Sequence, residues 1–379
     1  MQPAEIRIDS LLSDNSLPVS DLATAQRAEA PGKAGAAVAL VGPGRVGSAL
    51  LERFAGDCPD LRLFAVANSA RVLLAHQGLS PGDWQKGGGR ASSRGARLAA
   101  DFLHTVEAED RIVIDASASA DVAALHGHWL ASGLKVVTAN KWALSADGTG
   151  YRDLLSRPER YRAATTVGAG LPMLVSIARL KRVGEPPTRI EGVLSGTLSH
   201  LIAQVGAGQA FSEAVIEAHR SGLTEPDPRL DLNGVDVARK LVILARAAGL
   251  SLSLADVEVQ SLLPPVLETV SLEAFFEHCQ QLDPHFARLA EHAPGTGPAL
   301  AVVGRIDRRG RASVGLTRIA ADHPLATLAP GDNWLEIRTR CYDSQPLRIS
   351  GPGAGVAVTA LQLWADLIEC TRPTLEQAA

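Results

Sequence analysis

Cysteine is scarce in this chain, and the little there is carries no pattern. The four cysteines (Cys58, Cys279, Cys341, Cys370) lie far apart, with no CxxC pair and no metal-ligand spacing. That argues against a disulfide scaffold or a zinc module and fits reduced, structural thiols in a cytoplasm. No apolar run approaches the ~20 residues of a membrane span. The N-terminus lacks a basic stretch followed by an apolar core, so no secretory signal is expected. Positive charge is not in excess: the formal net charge is -4, and no basic-aromatic patch is present. Nucleic acid and anionic membrane therefore drop out as expected partners. There is no internal repeat, no heptad run, and no Ser/His/Asp arrangement legible from spacing. What remains is an ordinary soluble composition, 46% hydrophobic and 21% charged over 379 residues, enough for two domains with proper cores.

Residues 1–33 are polar and Ala/Ser-rich and read as a tail, with room for a helical turn or two between Asp21 and Ala30. The first strong signal is Ala36–Val41, a short buried strand. Gly42-Pro43-Gly44-Arg45-Val46-Gly47 follows at once, and Ser48–Phe54 reads as a helix. This is GxGxxG in the strand–turn–helix setting that dinucleotide binding requires. The glycines let the turn close, let backbone N–H groups approach a pyrophosphate and let the helix pack near the sheet. A second strand, Leu61–Ala67, ends in Asn68-Ser69-Ala70-Arg71. The acid that usually grips a ribose 2′-hydroxyl is missing there. Asn68, Ser69 and Arg71, with Arg45 nearby, suit a 2′-phosphate, so NADP is expected over NAD; the alternative is a solvated strand end.

Residues 78–95 read as an exposed excursion. Arg111–Ser117 is a further buried strand with Ser117 and Ser119 at its C-terminal end, where the crevice of a doubly wound sheet lies. His126 and His128 stand two apart in a helix-like run, a spacing that faces different ways, and are taken as surface histidines. Gly133–Lys141 forms a fourth strand ending in Asn140-Lys141. That lysine is placed to hold a carbonyl or carboxylate, or is simply solvated. Thr165–Pro172 looks like a domain crossover. Beyond it, Ile190–His200 reads as a strand and glycine turn into a helix, and strand-like runs recur at Ala299–Ile306, Ala312–Leu316 and Trp334–Thr339. They predict a second sheet, antiparallel or mixed. Leu347–Gly355 is a second glycine-rich strand-to-helix turn, and the apolar helix Val356–Ile368 is expected to return to the first domain.

One stretch concentrates chemistry: Thr224-Glu225-Pro226-Asp227-Pro228-Arg229-Leu230-Asp231-Leu232-Asn233-Gly234-Val235-Asp236-Val237-Ala238-Arg239-Lys240. The two prolines keep Glu225–Pro228 out of a helix. Asn233 suits an N-cap with Asp236 in the capping-box place, and Asp236 and Lys240 fall on one helix face. Taken alone the pair could be a surface ion pair worth ~0.3–0.5 kcal/mol. The crowding of Glu225, Asp227, Asp231 and Asp236 near a lysine is, however, what a site needs to hold an ammonium group and move a proton.

The segment Glu225–Lys240 resembles homoserine dehydrogenase. So do the Val41–Gly47 turn, Thr138–Lys141, Val167–Pro172, Gly192–Thr197 and Gly351–Gly355, in order over nearly the whole chain. The likeness is nearest to the dehydrogenase half of bifunctional aspartokinase–homoserine dehydrogenases, as in Ala65–Ser69 and Leu282-Asp283. The expectation is a chain with no kinase before residue 1 and no ACT-sized stretch after Ile368, and with it that threonine does not inhibit through an allosteric site. The resemblance implies reversible NAD(P)H-dependent reduction of L-aspartate 4-semialdehyde to L-homoserine, in threonine and methionine biosynthesis. It implies that Lys240 transfers the proton, with Asp236 its partner and a substrate ligand and Lys141 a second active-site lysine. Glu225, Asp231, Gly192 and Ser195 would bind substrate. Gly42, Gly44, Arg45, Val46, Gly47, Asn68, Ser69, Arg71, Ser117, Ser119, Lys141, Gly353 and Gly355 would line the cofactor site. Carbonyls of Val167, Ala169 and Leu171 match a sodium site, although Ala164 stands where the family often has a glutamate. A homodimer through the second sheet is expected.

The fold expectation is an α/β chain with a Rossmann-type doubly wound parallel sheet plus a second α+β domain with a mixed sheet. Residues 34–163, completed by 345–379, make the dinucleotide-binding domain, and 164–344 the substrate and dimerisation domain. Aspartate-semialdehyde dehydrogenase is a rival reading, but no cysteine lies in a glycine turn or beside an obvious base. A catalytically silent NAD(P)-binding module is another; it would have no use for the Glu225/Asp231/Asp236/Lys240 set.

Overall fold

The computed structural model describes residues 34–56, 60–290 and 300–371. The expected tail at 1–33, Cys58 and the first residue of the Ala299–Ile306 run lie outside them. The strands of the first half are β1 (Ala34–Val41), β2 (Leu61–Ala67), β3 (Arg71–Leu74), β4 (Arg90–Ala91), β5 (Ala108–Asp115), β6 (Lys135–Thr138) and β7 (Tyr161–Arg162). They form one seven-stranded sheet in the order β4-β3-β2-β1-β5-β6-β7. The five strands from β2 to β7 in that order run parallel, while β3 and β4 pair antiparallel at the edge. The residues of β1 from Ala36 to Val41 are buried, as a central strand covered on both faces requires. The edge hairpin β2–β3 is hidden in the sequence, because its turn Asn68–Arg71 reads as a strand end.

The second half supplies β8 (Arg189–Val193), β9 (Val257–Val259), β10 (Leu300–Ile306), β11 (Ala312–Arg318), β12 (Asp332–Arg338) and β13 (Leu347–Pro352). These make a mixed six-stranded sheet in the order β13-β12-β8-β10-β11-β9. Its β9–β11 pair is parallel and the rest antiparallel. The helix Val235–Ala248 packs on this sheet and on the Met173–Arg182 helix, burying Val237, Ala238, Leu241, Val242, Leu244 and Ala245. The α/β class and the mixed second sheet expected from the sequence are both present.

Three details differ from expectation. β13 pairs with β12, so the segment from residue 345 first completes the second sheet; the return to the first half begins only with the helix Val356–Thr371. That helix lays Ala360, Leu363, Leu367 and Cys370 against Leu50, Leu51, Val38 and Leu40, and Trp364 meets Phe54 edge to face at 5.1 Å. Each buried leucine contributes roughly 1.5–3 kcal/mol. Asn233 does not cap the main helix. It ends the short helix Arg229–Leu232, and Gly234, at φ 74°, turns the chain into Val235–Ala248. An asparagine side chain can close only one turn, and here its Oδ1 accepts from Val235 N. His126 is not a surface residue: it is fully buried, whereas His128 is exposed. Cys279, Cys341 and Cys370 are free thiols, and burial pushes the Cys370 thiol up to about 12.

Where the chain crosses between the halves, Asp366 on the return helix is buried, and its carboxylate accepts from Ala164 N at 3.2 Å and Gln362 Nε2 at 2.9 Å. Burial outweighs these bonds and pushes its carboxyl up to about 6, against 3.8 for an ordinary aspartate. The folded chain thus holds this proton more tightly than the unfolded chain. The contribution to stability is complete below pH 3.8 and is lost as pH rises through about 6. The Asp366→Asn variant keeps an acceptor without the charge. It should gain roughly 3 kcal/mol over wild type at pH 8 and only about 0.5 kcal/mol at pH 4, measured by thermal unfolding at both values. An equal gain at both would contradict a charge-burial cost.

Candidate active site

Both ends of the Gly42–Gly47 turn need glycine for steric reasons. Gly42 has φ +87°, and a Cβ there would stand 2.7 Å from Ser117 N; a Cβ on Gly47 would be 2.3 Å from Gly42 O. Gly44 differs: it is the N-cap of the Arg45–Arg53 helix, and a Cβ there would meet no protein atom within 4 Å. Protein packing therefore does not demand this glycine. The open space in front of it, at a helix N-terminus above the carboxyl ends of β1 and β5, suits a pyrophosphate. Ser117 N donates to Asp115 Oδ1, and Ser119 Oγ caps the turn of helix that follows. Both serines border the crevice without facing it alone.

At the end of β2 the structure rearranges the expected 2′-phosphate set. Asn68 Oδ1 accepts from Ala70 N and Arg71 N and so closes the hairpin. Arg71 donates to the Trp84 and Gly88 carbonyls and stacks over the Trp84 ring at 3.7 Å, which commits it to the 81–89 excursion. Ser69 stays exposed. Arg94 is exposed at the same corner, since Ser92 N donates to Ala70 O and Gly95 opens a helix against Asn68. Only the fold brings Arg94 there; nothing in its sequence position signals it.

Across the crevice, the carboxyl end of β6 and the Val235–Ala248 helix meet. Lys141 Nζ donates to Asp236 Oδ1 at 2.5 Å, and Lys240 Nζ lies 2.8 Å from Asp236 Oδ2. One carboxylate therefore holds two ammonium groups. Partial burial pushes its carboxyl up, but the charges of Lys240 and then Lys141 prevail and hold it well below the usual carboxylate range. Lys240 also donates to Leu194 O at 2.7 Å. Arg239 stacks on Trp142 at 3.9 Å and donates to Ser145, tying the helix to the residues after Lys141.

Glu225 and Asp231 line a cleft of about 350 Å³ together with Arg45, Thr197 and His219. Asp231 Oδ2 accepts from Glu225 N at 2.8 Å, and burial raises its carboxyl above the ordinary value. Arg45 of the glycine turn thus faces the acids of the second half, an encounter that spacing does not reveal, and Thr197 and His219 join the candidate list from the fold alone. Asp227 is structural: Arg229 pairs with it and donates to Val270 O. Gly192 also has a packing reason to be glycine. It is buried in β8, where a Cβ would stand 2.9 Å from Trp334 O. Ser195 Oγ caps the Gly196–Gly206 helix by accepting from Leu198 N. Gly353 is required by Asn333, whose Cγ would lie 2.0 Å from a Cβ, and Gly355 by φ +118°. In the crossover turn Ala169 has φ 50° and Leu171 O accepts from Met173 N. Among the described residues no cluster of three or more His, Cys, Asp or Glu suits a metal ion.

The open face of Gly44 supplies a direct check. Gly44→Ala should leave the thermal midpoint of the ligand-free protein within ~2 °C. NADPH binding, followed by fluorescence titration, should weaken at least about tenfold. Unchanged binding would contradict a pyrophosphate at this turn.

Comparison with known proteins agrees with this geometry. Residues 172–368 match the homoserine dehydrogenase family model, and residues 42–166 match the homoserine dehydrogenase NAD-binding domain model. The bifunctional aspartokinase/homoserine dehydrogenase 1, chloroplastic, of Arabidopsis thaliana is 37% identical over 350 residues, 88% of this chain and 38% of that protein. Homoserine dehydrogenase of Saccharomyces cerevisiae is 34% identical over 360 residues, 88% of this chain and 97% of that one. The crystal structure of a Candida auris protein of unknown function superposes with a TM-score of 0.81 at 30% identity, covering 88% and 97% of the two chains. The chain thus spans 38% of the length of the Arabidopsis protein and nearly the whole of the yeast enzyme. By sequence and fold, this chain belongs to the homoserine dehydrogenase family of NAD(P)-dependent oxidoreductases.

Proposed function

We propose that the chain catalyses reversible NAD(P)H-dependent reduction of L-aspartate 4-semialdehyde to L-homoserine. The observation that carries this reading is the Lys141–Asp236–Lys240 cluster beside the cleft that Arg45 shares with Asp231, whose carboxyl Asp236 helps to raise. When bound, the nicotinamide supplies the hydride for the aldehyde carbon or takes it from the alcohol. Reduction builds negative charge on the carbonyl oxygen, and Lys240 stabilises that charge and donates the proton. Asp236, strongly acidic between two ammonium groups, is a poor base, so it orients both lysines while the lysines carry the mobile protons. Lys141 offers a second cation to the same oxygen. Glu225, with Asp231 behind it, receives the substrate ammonium group in the cleft that Arg45 closes from the other side.

NADP is the proposed cofactor over NAD. No acid occupies the Asn68–Arg71 turn, and Arg94, exposed at that corner, is placed to meet a 2′-phosphate, whereas Arg71 is held on Trp84. Sodium at the carbonyls of Val167, Ala169 and Leu171 remains part of the proposal; Asp366 brings a carboxylate to Ala164, where the glutamate of the family motif is missing. A homodimer formed through the second sheet is proposed from the family resemblance. Across β10-β8-β12-β13, Arg305, Glu191, Glu336 and Arg348 share one rung, and each glutamate is paired with two arginines. Among the described residues no helix is long and apolar enough to cross a membrane; a cytoplasmic setting is part of the proposal.

The first test is the initial rate of NADP+ reduction with L-homoserine at mildly alkaline pH, beside NAD+. Homoserine-dependent turnover favouring NADP+ is expected. Folded protein that binds NADPH yet turns over neither cofactor would favour the silent-module reading. Lys240→Ala should lower kcat by about two orders of magnitude or more with NADPH affinity intact, and near wild-type turnover would remove Lys240 from its role. Light scattering should give twice the 39.7 kDa of one chain; a monomer would refute the dimer.

A further inference from the structure

Beneath the lysine cluster lies a polar group that the chemistry above does not use. Asp115, at the carboxyl end of β5, is fully buried with His126, Asn140 and the hydroxyl end of Tyr161 around it. Asp115 Oδ2 accepts from His126 Nε2 at 3.0 Å and from Asn140 Nδ2 at 2.9 Å, and Oδ1 accepts from Ser117 N at 2.9 Å. Because Asp115 only accepts, Nε2 of the imidazole carries the hydrogen that faces it. Nδ1 pairs with Tyr161 Oη at 3.0 Å. Burial first, and then the charge of Asp115, raises the Tyr161 phenol well above its ordinary value, which keeps it a donor. Every ring hydrogen-bonding group therefore has a partner.

Asn140 carries the order of this cluster to the active site. Its amide also donates to Ser119 O at 2.8 Å, its Oδ1 accepts from Trp142 N at 3.0 Å, and its own N–H donates to Thr138 Oγ1 at 2.9 Å. Lys141 is thus held from the residues on both sides of it. Trp142 in turn carries Arg239, the neighbour of Lys240. We infer that His126 is a positioning residue: through Asp115 and Asn140 it fixes the backbone from which Lys141 reaches Asp236. Without its donor, Asp115 is one hydrogen bond short in a buried site, and Asn140 is drawn away from its other partners.

The inference rests on the dehydrogenase reading, and two readouts separate the failure of one from the failure of the other. The first is a double-mutant cycle of His126→Leu and Lys141→Ala in the homoserine assay. His126→Leu should lower kcat at least about tenfold, with the NADPH Kd within about threefold. In the Lys141→Ala background its effect should shrink to less than about twofold, and His126→Gln, which has a donor and an acceptor, should recover most of the rate. A purely structural role would give the same loss in both backgrounds and overturn the inference. If the leucine variant does not fold, His126→Phe, which keeps a ring of similar shape but lacks the donor to Asp115, takes its place in the cycle with the same two outcomes. The second readout needs no turnover: acylation of lysines mapped by mass spectrometry. His126→Leu should speed labelling of Lys141 at least about threefold relative to exposed Lys86. Accelerated labelling in a chain that never oxidises homoserine would sink the functional reading and keep this one. Unchanged labelling with an additive cycle would sink this one alone.

Discussion

One carboxylate shared by two lysines is the interaction on which the rest of the structure depends. Asp236 joins Lys141, from the first sheet, to Lys240, from the helix that packs on the second. Two ammonium groups this close repel each other unless an anion stands between them, and Asp236 is that anion. Its position requires that the carboxyl end of β6 and the first two turns of the Val235–Ala248 helix arrive at the same place. The crossover at Ala163–Pro172 and the return helix Val356–Thr371 make that meeting durable, because they clamp the two halves at a second point through Asp366 and Ala164.

The site also divides its labour by exposure. Asp236 and Lys141 are partly open to the crevice, where a substrate can reach them. The groups that hold them are closed to solvent: Asp115, His126 and Asn140 on one side, the apolar stripe of the Val235–Ala248 helix on the other. Polar groups in a buried network need a full set of partners, and that requirement fixes their geometry. The fixed geometry is then passed to charged groups that would otherwise be long and mobile.

Much of this is legible in the amino-acid sequence alone. The parallel sheet follows from buried runs such as Ala36–Val41 and from a glycine turn in its proper setting. The pairing of Asp236 with Lys240 follows from their separation by one helical turn. What stays hidden depends on contacts between distant segments. His126 and His128 look alike in a local window, and only packing of that helix on β6 decides that one is buried against Asp115 and the other faces water. Arg71 reads as a free guanidinium until Trp84 is placed under it, and Arg94 reads as a loop residue until its helix docks on the Asn68 turn. Gly192 sits in a motif shared with expected substrate-binding positions, and only the nearness of β12 shows that packing also demands a glycine there. Asn233 is a good N-cap by type, but Gly234 with its positive φ takes the boundary because the chain must turn sharply between two helices.

The most direct test removes the shared charge and leaves its shape. Asp236→Asn should be assayed for kcat, for the homoserine KM and for the NADPH Kd in parallel. If the carboxylate holds both lysines, kcat falls by roughly two to four orders of magnitude and KM rises, while NADPH binds as in wild type. An Asp236→Asn enzyme with kcat within a few-fold of wild type would contradict this, since the two lysines would then have found their places without the carboxylate between them.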